Sequence, residues 1–179
     1  MLFRSVRGND LFVGGQFTQA GEVSVANVAR WNGVGWFPVA TSMAWPGRIL
    51  GVYSLAVAGD ALFVGGDFAE LDGVPARGVA RWRDGLWSAL GSGVGTDSSE
   101  ARVNDIVADE RSVVLGGSFR GAGAELRNLV ARWELPQAAP RVTLVQPTNG
   151  AALQVDQPVV LQALAESAAA NVEVTRVEF

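Results

Sequence analysis

The sequence predicts an all-β protein, and within that class a partial β-propeller: three successive four-stranded antiparallel blades, the last incomplete, followed by a further β segment. Three observations carry this reading. The first is a repeat of constant period. Sliding the 179-residue chain over itself by 51 residues superposes Gly14-Gly15 on Gly65-Gly66 and then on Gly116-Gly117 without a gap. Phe17, Phe68 and Phe119 fall in register, as do Ala29-Arg30-Trp31, Ala80-Arg81-Trp82 and Ala131-Arg132-Trp133, while Trp36 matches Trp87. Self-similarity at roughly 40–50 residues, with short strand-like pieces inside each copy, is the mark of propeller blades rather than helical solenoids.

The second observation is that each copy holds strand-length pieces. In the middle copy "VYSLAV" (52–57) alternates, "ALFVGG" (61–66) is a short apolar run closed by glycines, "GVARW" (78–82) is brief, and "LWSAL" (86–90) follows. The third is the turn chemistry between them. "AGD" separates the first two pieces and "RDG" the last two, with "NG" in "RWNGVGW" as the first-copy counterpart; such pairs supply the positive φ of tight hairpins. A four-stranded meander per copy follows. The glycine pair at the strand end leaves room for a bulge or for close approach of a neighbouring blade.

These residues resemble kelch-type repeats, in which a strand ends in a Gly pair and a Trp follows on the fourth strand, as Gly65-Gly66 and Trp87 do. The pattern "GGxF…ARW…W" is more closely similar to the galactose-oxidase-like propeller repeats of secreted bacterial proteins and of a fungal cortical polarity marker. The resemblance covers residues 1–134, divided as 1–51, 52–102 and 103–134, and it implies a fold without naming a ligand.

The third copy departs from the pattern after Trp133, where "ELPQAAPRVTLVQP" brings two prolines and a composition shift. Residues 135–141 read as a linker. Residues 142–179 resemble the opening of a bacterial immunoglobulin-like domain: a first strand, the "PTNG" turn, a second strand with Val159, Leu161 and Ala163 on one face, then a strand carrying Val177 and Phe179. About three strands are present where such a β-sandwich needs about seven, so the second domain reads as truncated. Three blades likewise fall short of the ~4–8 that close a ring. The expectation is a fragment of a longer modular protein whose remaining blades complete the ring, or a short protein that completes it by self-association.

Composition excludes some partners. Net charge −4 and scattered arginines argue against a nucleic-acid surface. All 14 basic residues are Arg, which is read as codon bias of a GC-rich bacterial genome. No stretch reaches the roughly 18–20 apolar residues of a membrane span, and "MLFRSVRGND" lacks the apolar core of a signal peptide. There is no Cys to report a redox compartment. An extracellular or cell-surface location rests on the resemblance alone.

The resemblance also raises a copper-radical oxidase, built on such a propeller from His, Tyr and Cys. This chain has no His, no Cys and the single Tyr53, so none of that family's copper-site residues carries over. Serine–histidine relays and the favoured zinc ligands fail on the same ground. A carboxylate-only hydrolase needs just two acids at a fixed separation. Eighteen Asp and Glu supply many pairs, but none repeats with the copies: Asp67 matches Gln16 and Ser118, and Asp60 matches Asn9 and Arg111. No catalytic residue and no cofactor is therefore expected.

Three features remain as candidates. "DFAELDG" places Asp67, Glu70 and Asp72 in one loop, where they offer hard oxygen ligands to calcium. The loop lacks the dense alternation of a calcium site, and an acidic turn in water is the plainer reading. Arg30, Arg81 and Arg132 recur beside the in-register Trp and suit a repeated structural task, pairing with a carbonyl or carboxylate of the adjacent blade; an anion-attracting ring in a central channel is the alternative. The in-register Trp31, Trp82 and Trp133 are expected in equivalent buried positions. Trp45 has no repeat counterpart, since Thr96 stands one period later. It lies in "ATSMAWPGRILG", among the long segments 18–26, 40–51, 67–77 and 91–102 that strand arithmetic puts on one face. It is either a recognition platform for a sugar ring or protein side chain, or a cover for the seam between blades. The functional expectation is a non-catalytic binding or adhesion scaffold recognising a glycan or protein; the alternative is a fragment of a carbohydrate-active or copper-radical enzyme whose catalytic residues lie outside this chain.

Overall fold

The computed structural model describes residues 2–45, 50–95, 101–123, 129–136, 141–146 and 162–166, the last two ranges as backbone. The described residues are all-β, with antiparallel sheets and no helix. No helix long and apolar enough to cross a membrane is present among them. The chain divides into two compact units, Met1–Leu135 and Pro136–Phe179.

In the first unit, copy one supplies β1 (Phe3–Arg7), β2 (Asp10–Gly14), the two-residue β3 (Gln19–Ala20) and β4 (Val23–Ser24), β5 (Val28–Trp31) and β6 (Trp36–Pro38). The connection to copy two contains β7 (Met43–Ala44). Copy two repeats the series as β8 (Gly51–Ala58), β9 (Ala61–Asp67), β10 (Glu70–Leu71), β11 (Val74–Pro75), β12 (Val79–Arg83) and β13 (Leu86–Ala89). Copy three gives β14 (Arg102–Ala108), β15 (Ser112–Ser118) and β16 (Val130–Glu134). The main sheets are β1-β2-β5-β6, β8-β9-β12-β13 and β14-β15-β16, and their registers repeat with the sequence. Leu11 faces Trp31, Leu62 faces Trp82, and Val113 faces Trp133. Gly14, Gly65 and Gly116 face Val28, Val79 and Val130.

Alternation along these strands gives every sheet two apolar faces, and the sheets stack through them. One core gathers Phe12 and Val28 of the first sheet with Val52, Leu62, Val64 and Ala80 of the second. The next gathers Phe63 and Val79 of the second with Val103, Ile106, Val113, Leu115 and Ala131 of the third. Phe12, Phe63 and Leu62 have no exposed surface, a burial worth about 1.5–3 kcal/mol for each side chain.

The two glycines of each pair act differently. A Cβ on Gly14 would sit 2.5 Å from Val52 Cγ1, and one on Gly65 would sit 2.6 Å from Val103 Cγ1 and 2.7 Å from Ile106 Cδ1. The first glycine thus admits the next sheet's side chains. The second admits backbone: β8 and β14 each carry a bulge, between Val52 and Ser54 and between Val103 and Asp105. Opposite these bulges, a Cβ on Gly66 or Gly117 would lie 2.1 Å from the carbonyl oxygen of Gly51 or Arg102.

Two expectations need correction. Trp31, Trp82 and Trp133 do hold equivalent register positions, but they are half-buried. They lie near the hairpin ends of their strands: Trp31 leans on Trp36 with centroids 5.4 Å apart, and Trp82 meets Phe12 of the first sheet edge-on at 5.9 Å. The segments 18–26 and 67–77 are not plain loops, because β3-β4 and β10-β11 are hairpins, with positive φ at Gly21, Asp72 and Gly73.

In the second unit β17 (Arg141–Gln146) pairs antiparallel with β18 (Gln162–Glu166), with an irregularity between Leu144 and Gln146. Val159, Leu161, Val177 and Phe179 of the expected immunoglobulin-like segment lie outside the described residues.

The glycine geometry sets a graded outcome. Gly66→Ala should cost about 3 kcal/mol in urea unfolding, because the new methyl meets backbone that cannot rotate away. Gly116→Ala should change stability by no more than about 1 kcal/mol, and in the stabilising direction, because nothing lies within 4 Å of the added carbon.

Candidate functional site

The side that carries the small hairpins is the candidate site, and it is built by the repeat. β10 pairs on one side with β11 and on the other with β7 from the preceding connection, Leu71 facing Met43. One period later the same contact recurs as an isolated bridge between Val94 and Ala122. The backbone bond from Asp72 N to Ser42 O, 3.1 Å, has its counterpart in Gly123 N to Gly93 O, 2.9 Å. Each of the two connections is therefore bonded to the copy that follows it, the first through the hairpin β10-β11 and the second through Ala122 and Gly123.

Asp72 carries the most polar contacts in this clasp. Its Oδ1 accepts from Thr41 N at 2.8 Å, Thr41 Oγ1 at 2.8 Å, Ser42 N at 2.7 Å and Ser42 Oγ at 3.3 Å. Its Oδ2 accepts from Trp87 Nε1 at 3.1 Å, an indole that also reaches Val39 O at 3.2 Å. The residue sits at φ 45°, where its repeat counterparts Gly21 and Gly123 have φ 58° and 62°. An aspartate tolerates that conformation better than most side chains, so the position gains a carboxylate without leaving the turn. Partial burial alone would raise its pKa. The backbone bonds from Ser42 and Thr41, with those from the Thr41 hydroxyl and Trp87, outweigh that and hold it below the usual carboxylate range.

The calcium reading of this loop changes accordingly. Asp72 points its oxygens at Thr41, Ser42 and Trp87, while Glu70 lies in β10, paired across to Ala44 and Pro75. Among the described residues no group of three or more acids is placed to hold a metal ion, so Asp67, Glu70 and Asp72 are not brought together. The sequence signal for the clasp was present in "LDG", an Asp-Gly turn, though nothing in it marks Thr41 and Ser42 as the partners.

Trp45 follows β7 directly. It is half-buried and packs against the core between the second and third sheets. Thr96, its counterpart, lies outside the described residues.

Among the described residues, the contacts of the recurrent arginines lie within their own sheets. Arg30 pairs with Asp10 at 3.4 Å and lies over Phe37, Arg81 bonds Ser88 Oγ at 3.2 Å, and Arg132 pairs with Glu134 at 2.9 Å. These partners belong to the arginine's own sheet but hold different places in it: Ser88 faces Arg81, Asp10 lies diagonally across from Arg30, and Glu134 is two residues along Arg132's own strand. Two arginines outside that series do bridge sheets: Arg102 of the third sheet lies over Tyr53 of the second at 5.2 Å, and Arg7 joins the first sheet to the second. The Arg7 guanidinium lies 5.1 Å from the Phe12 ring and 5.6 Å from the Trp82 ring, and it donates to the Asp60 carbonyl.

No protein-family model matches the chain, and no curated protein is detectably similar to it.

Asp72 gives a pH signature. Its pKa is depressed on folding, so its contribution is fully present above the unfolded value of about 3.9 and disappears as pH falls through the folded value. Asp72→Gly, the residue both counterparts use, should cost about 1–3 kcal/mol at pH 7. Thermal melts should show that difference shrinking steadily below pH 4 or so.

Proposed function

We propose that the three stacked sheets are blades of a kelch-like β-propeller that serves as a non-catalytic binding or adhesion scaffold of a secreted or cell-surface protein. A glycan or protein partner is recognised on the side formed by the small hairpins and the connections. What carries this reading is Trp45: an aromatic side chain outside the repeat, half-buried on a clasped connection and packed against the core. Tryptophan so placed offers a flat apolar surface with a polar N–H, the combination that sugar rings and protein hot spots use.

The supporting arrangement is structural rather than chemical. The polar side chains of the clasp are consumed in holding the connection: Thr41, Ser42 and Trp87 all donate to one carboxylate. The chain also lacks His and Cys, the residues on which nucleophile activation and copper or zinc chemistry most often rest. The hairpin side is thus a rigid platform for contacts.

The test is Trp45→Ala, assayed well below its melting temperature on a glycan array and on cell surfaces that retain the parent chain. Binding should fall by at least about 30-fold, the equivalent of a ~2 kcal/mol contact, while stability falls by about 1 kcal/mol from the lost packing. Unchanged binding with lowered stability would assign Trp45 to the seam alone and remove the proposed site.

A further inference from the structure

The turn between β5 and β6, Asn32-Gly33-Val34-Gly35, joins Trp31 to the Trp36 that it faces across the ladder. Asn32 Oδ1 accepts the backbone N–H of Val34 and that of Gly35, each at 3.0 Å, and Asn32 N donates to Gly35 O at 3.3 Å. A side chain whose oxygen reaches past Gly33 to the next two residues spans the Gly33 nitrogen. That nitrogen has no acceptor among the described residues, and Gly33 sits at φ 93°. Gly33 is exposed and Val34 is 88% exposed, so water reaches the turn.

An amide carbonyl held in this way is activated toward attack. When a nucleophile adds to Asn32 Cγ, negative charge develops on Oδ1, the atom that two backbone N–H groups already bond; their distance lies in the roughly 2.7–3.1 Å range of an oxyanion hole. The nucleophile built into the chain is the Gly33 nitrogen, whose attack closes a five-membered ring and meets no Cβ on its own residue. We propose that this turn is a self-modification site, at which the Val34 and Gly35 N–H groups promote deamidation of Asn32. Solvent base removes the Gly33 amide proton, and the Gly33 N–Cγ bond forms. The Cγ–Nδ2 bond then breaks, and Nδ2 takes a proton from water and leaves as ammonia. Water opens the cyclic imide, giving aspartate if the bond to Cγ is cut and isoaspartate if the bond to the main-chain carbonyl carbon is cut.

The arrangement belongs to the first copy. Arg83 stands one period after Asn32, and there Asp84 and Gly85 make the turn with φ 52° and 83°. Asn27 is a useful contrast: its Oδ1 also accepts a backbone N–H, from Phe17 at 2.9 Å, but the residue that follows is the β-branched and fully buried Val28 of β5. The two products differ in consequence. Aspartate keeps an acceptor for the Val34 and Gly35 N–H groups, whereas isoaspartate adds a carbon to the main chain inside the turn and strains the Trp31–Trp36 pairing. Each adds one negative charge. None of this depends on a ligand at Trp45.

The test incubates the full chain in mildly alkaline buffer, folded and in parallel unfolded in urea, and follows tryptic peptides by mass spectrometry. Cleavage after Arg30 and Arg48 isolates Asn32 from Asn149-Gly150, the other Asn-Gly pair of the chain. Asn32 should deamidate at least about threefold faster in the folded chain; the factor is far below the ~10²-fold or more of a buried oxyanion donor because this turn is open to water. Val34→Pro removes one of the two donors and should lower the folded rate to that of its own unfolded state. Circular dichroism checks folding, and Gly35→Pro, which removes the other donor, takes its place if Val34→Pro does not fold. A parent chain whose folded rate is equal to or below its unfolded rate would overturn the proposal. So would a folded donor-deleted variant that keeps the parent's full acceleration.

Discussion

Everything in the first unit depends on how closely two sheets can approach at the end of their second strand. A Cβ at Gly65 would fall inside the van der Waals radius of Val103 and Ile106, so the absence of that one atom is what lets the third sheet's apolar face seat on the second. The neighbouring Gly66 solves a different problem, admitting the Gly51 carbonyl across a bulge. The pair recurs because both problems recur. From that contact follow the sheet spacing, the enclosed Phe63 and Val79, and the positions from which the hairpins reach the connections.

The clasp is a second-order consequence. Once two sheets are fixed, the connection between copies runs past the hairpin of the following copy, and backbone bonding between Met43–Ala44 and Glu70–Leu71 satisfies polar groups that a bare loop would leave to water. Asp72 strengthens one such clasp with a carboxylate where the third copy manages with Gly123. The hairpin side is therefore held at two levels, by apolar packing beneath and by hydrogen bonds above.

The main strands and their pairing were legible in the sequence because their signals are periodic: alternating apolar residues, glycines at a fixed offset, and Asp-Gly or Asn-Gly turns. The small hairpins were not, since two-residue strands are too short to show a period, and their pairing with β7 is set by tertiary placement. The partners of Arg30, Arg81 and Arg132 escaped for a related reason. A repeated arginine suggested a repeated partner, but Asp10, Ser88 and Glu134 are not equivalent positions. Burial of the in-register tryptophans was overestimated because register fixes which face a side chain takes, not how far the neighbouring sheet extends over it. For Trp45 the sequence supplied the exception to the repeat, and the structure supplied the packing behind it.

The central claim is that the missing Cβ at Gly65 is what seats the third sheet, and a double-mutant cycle between Gly65→Ala and Val103→Ala tests it most directly. Each change alone should destabilise the chain, one by overpacking and the other by leaving a cavity. Together they add one methyl at position 65 and remove two at position 103, including the Cγ1 it would meet, so the combined loss in urea unfolding should be smaller than the sum by at least about 0.5 kcal/mol. Additivity to within about 0.3 kcal/mol would show that the two positions do not share one space, and would contradict the account.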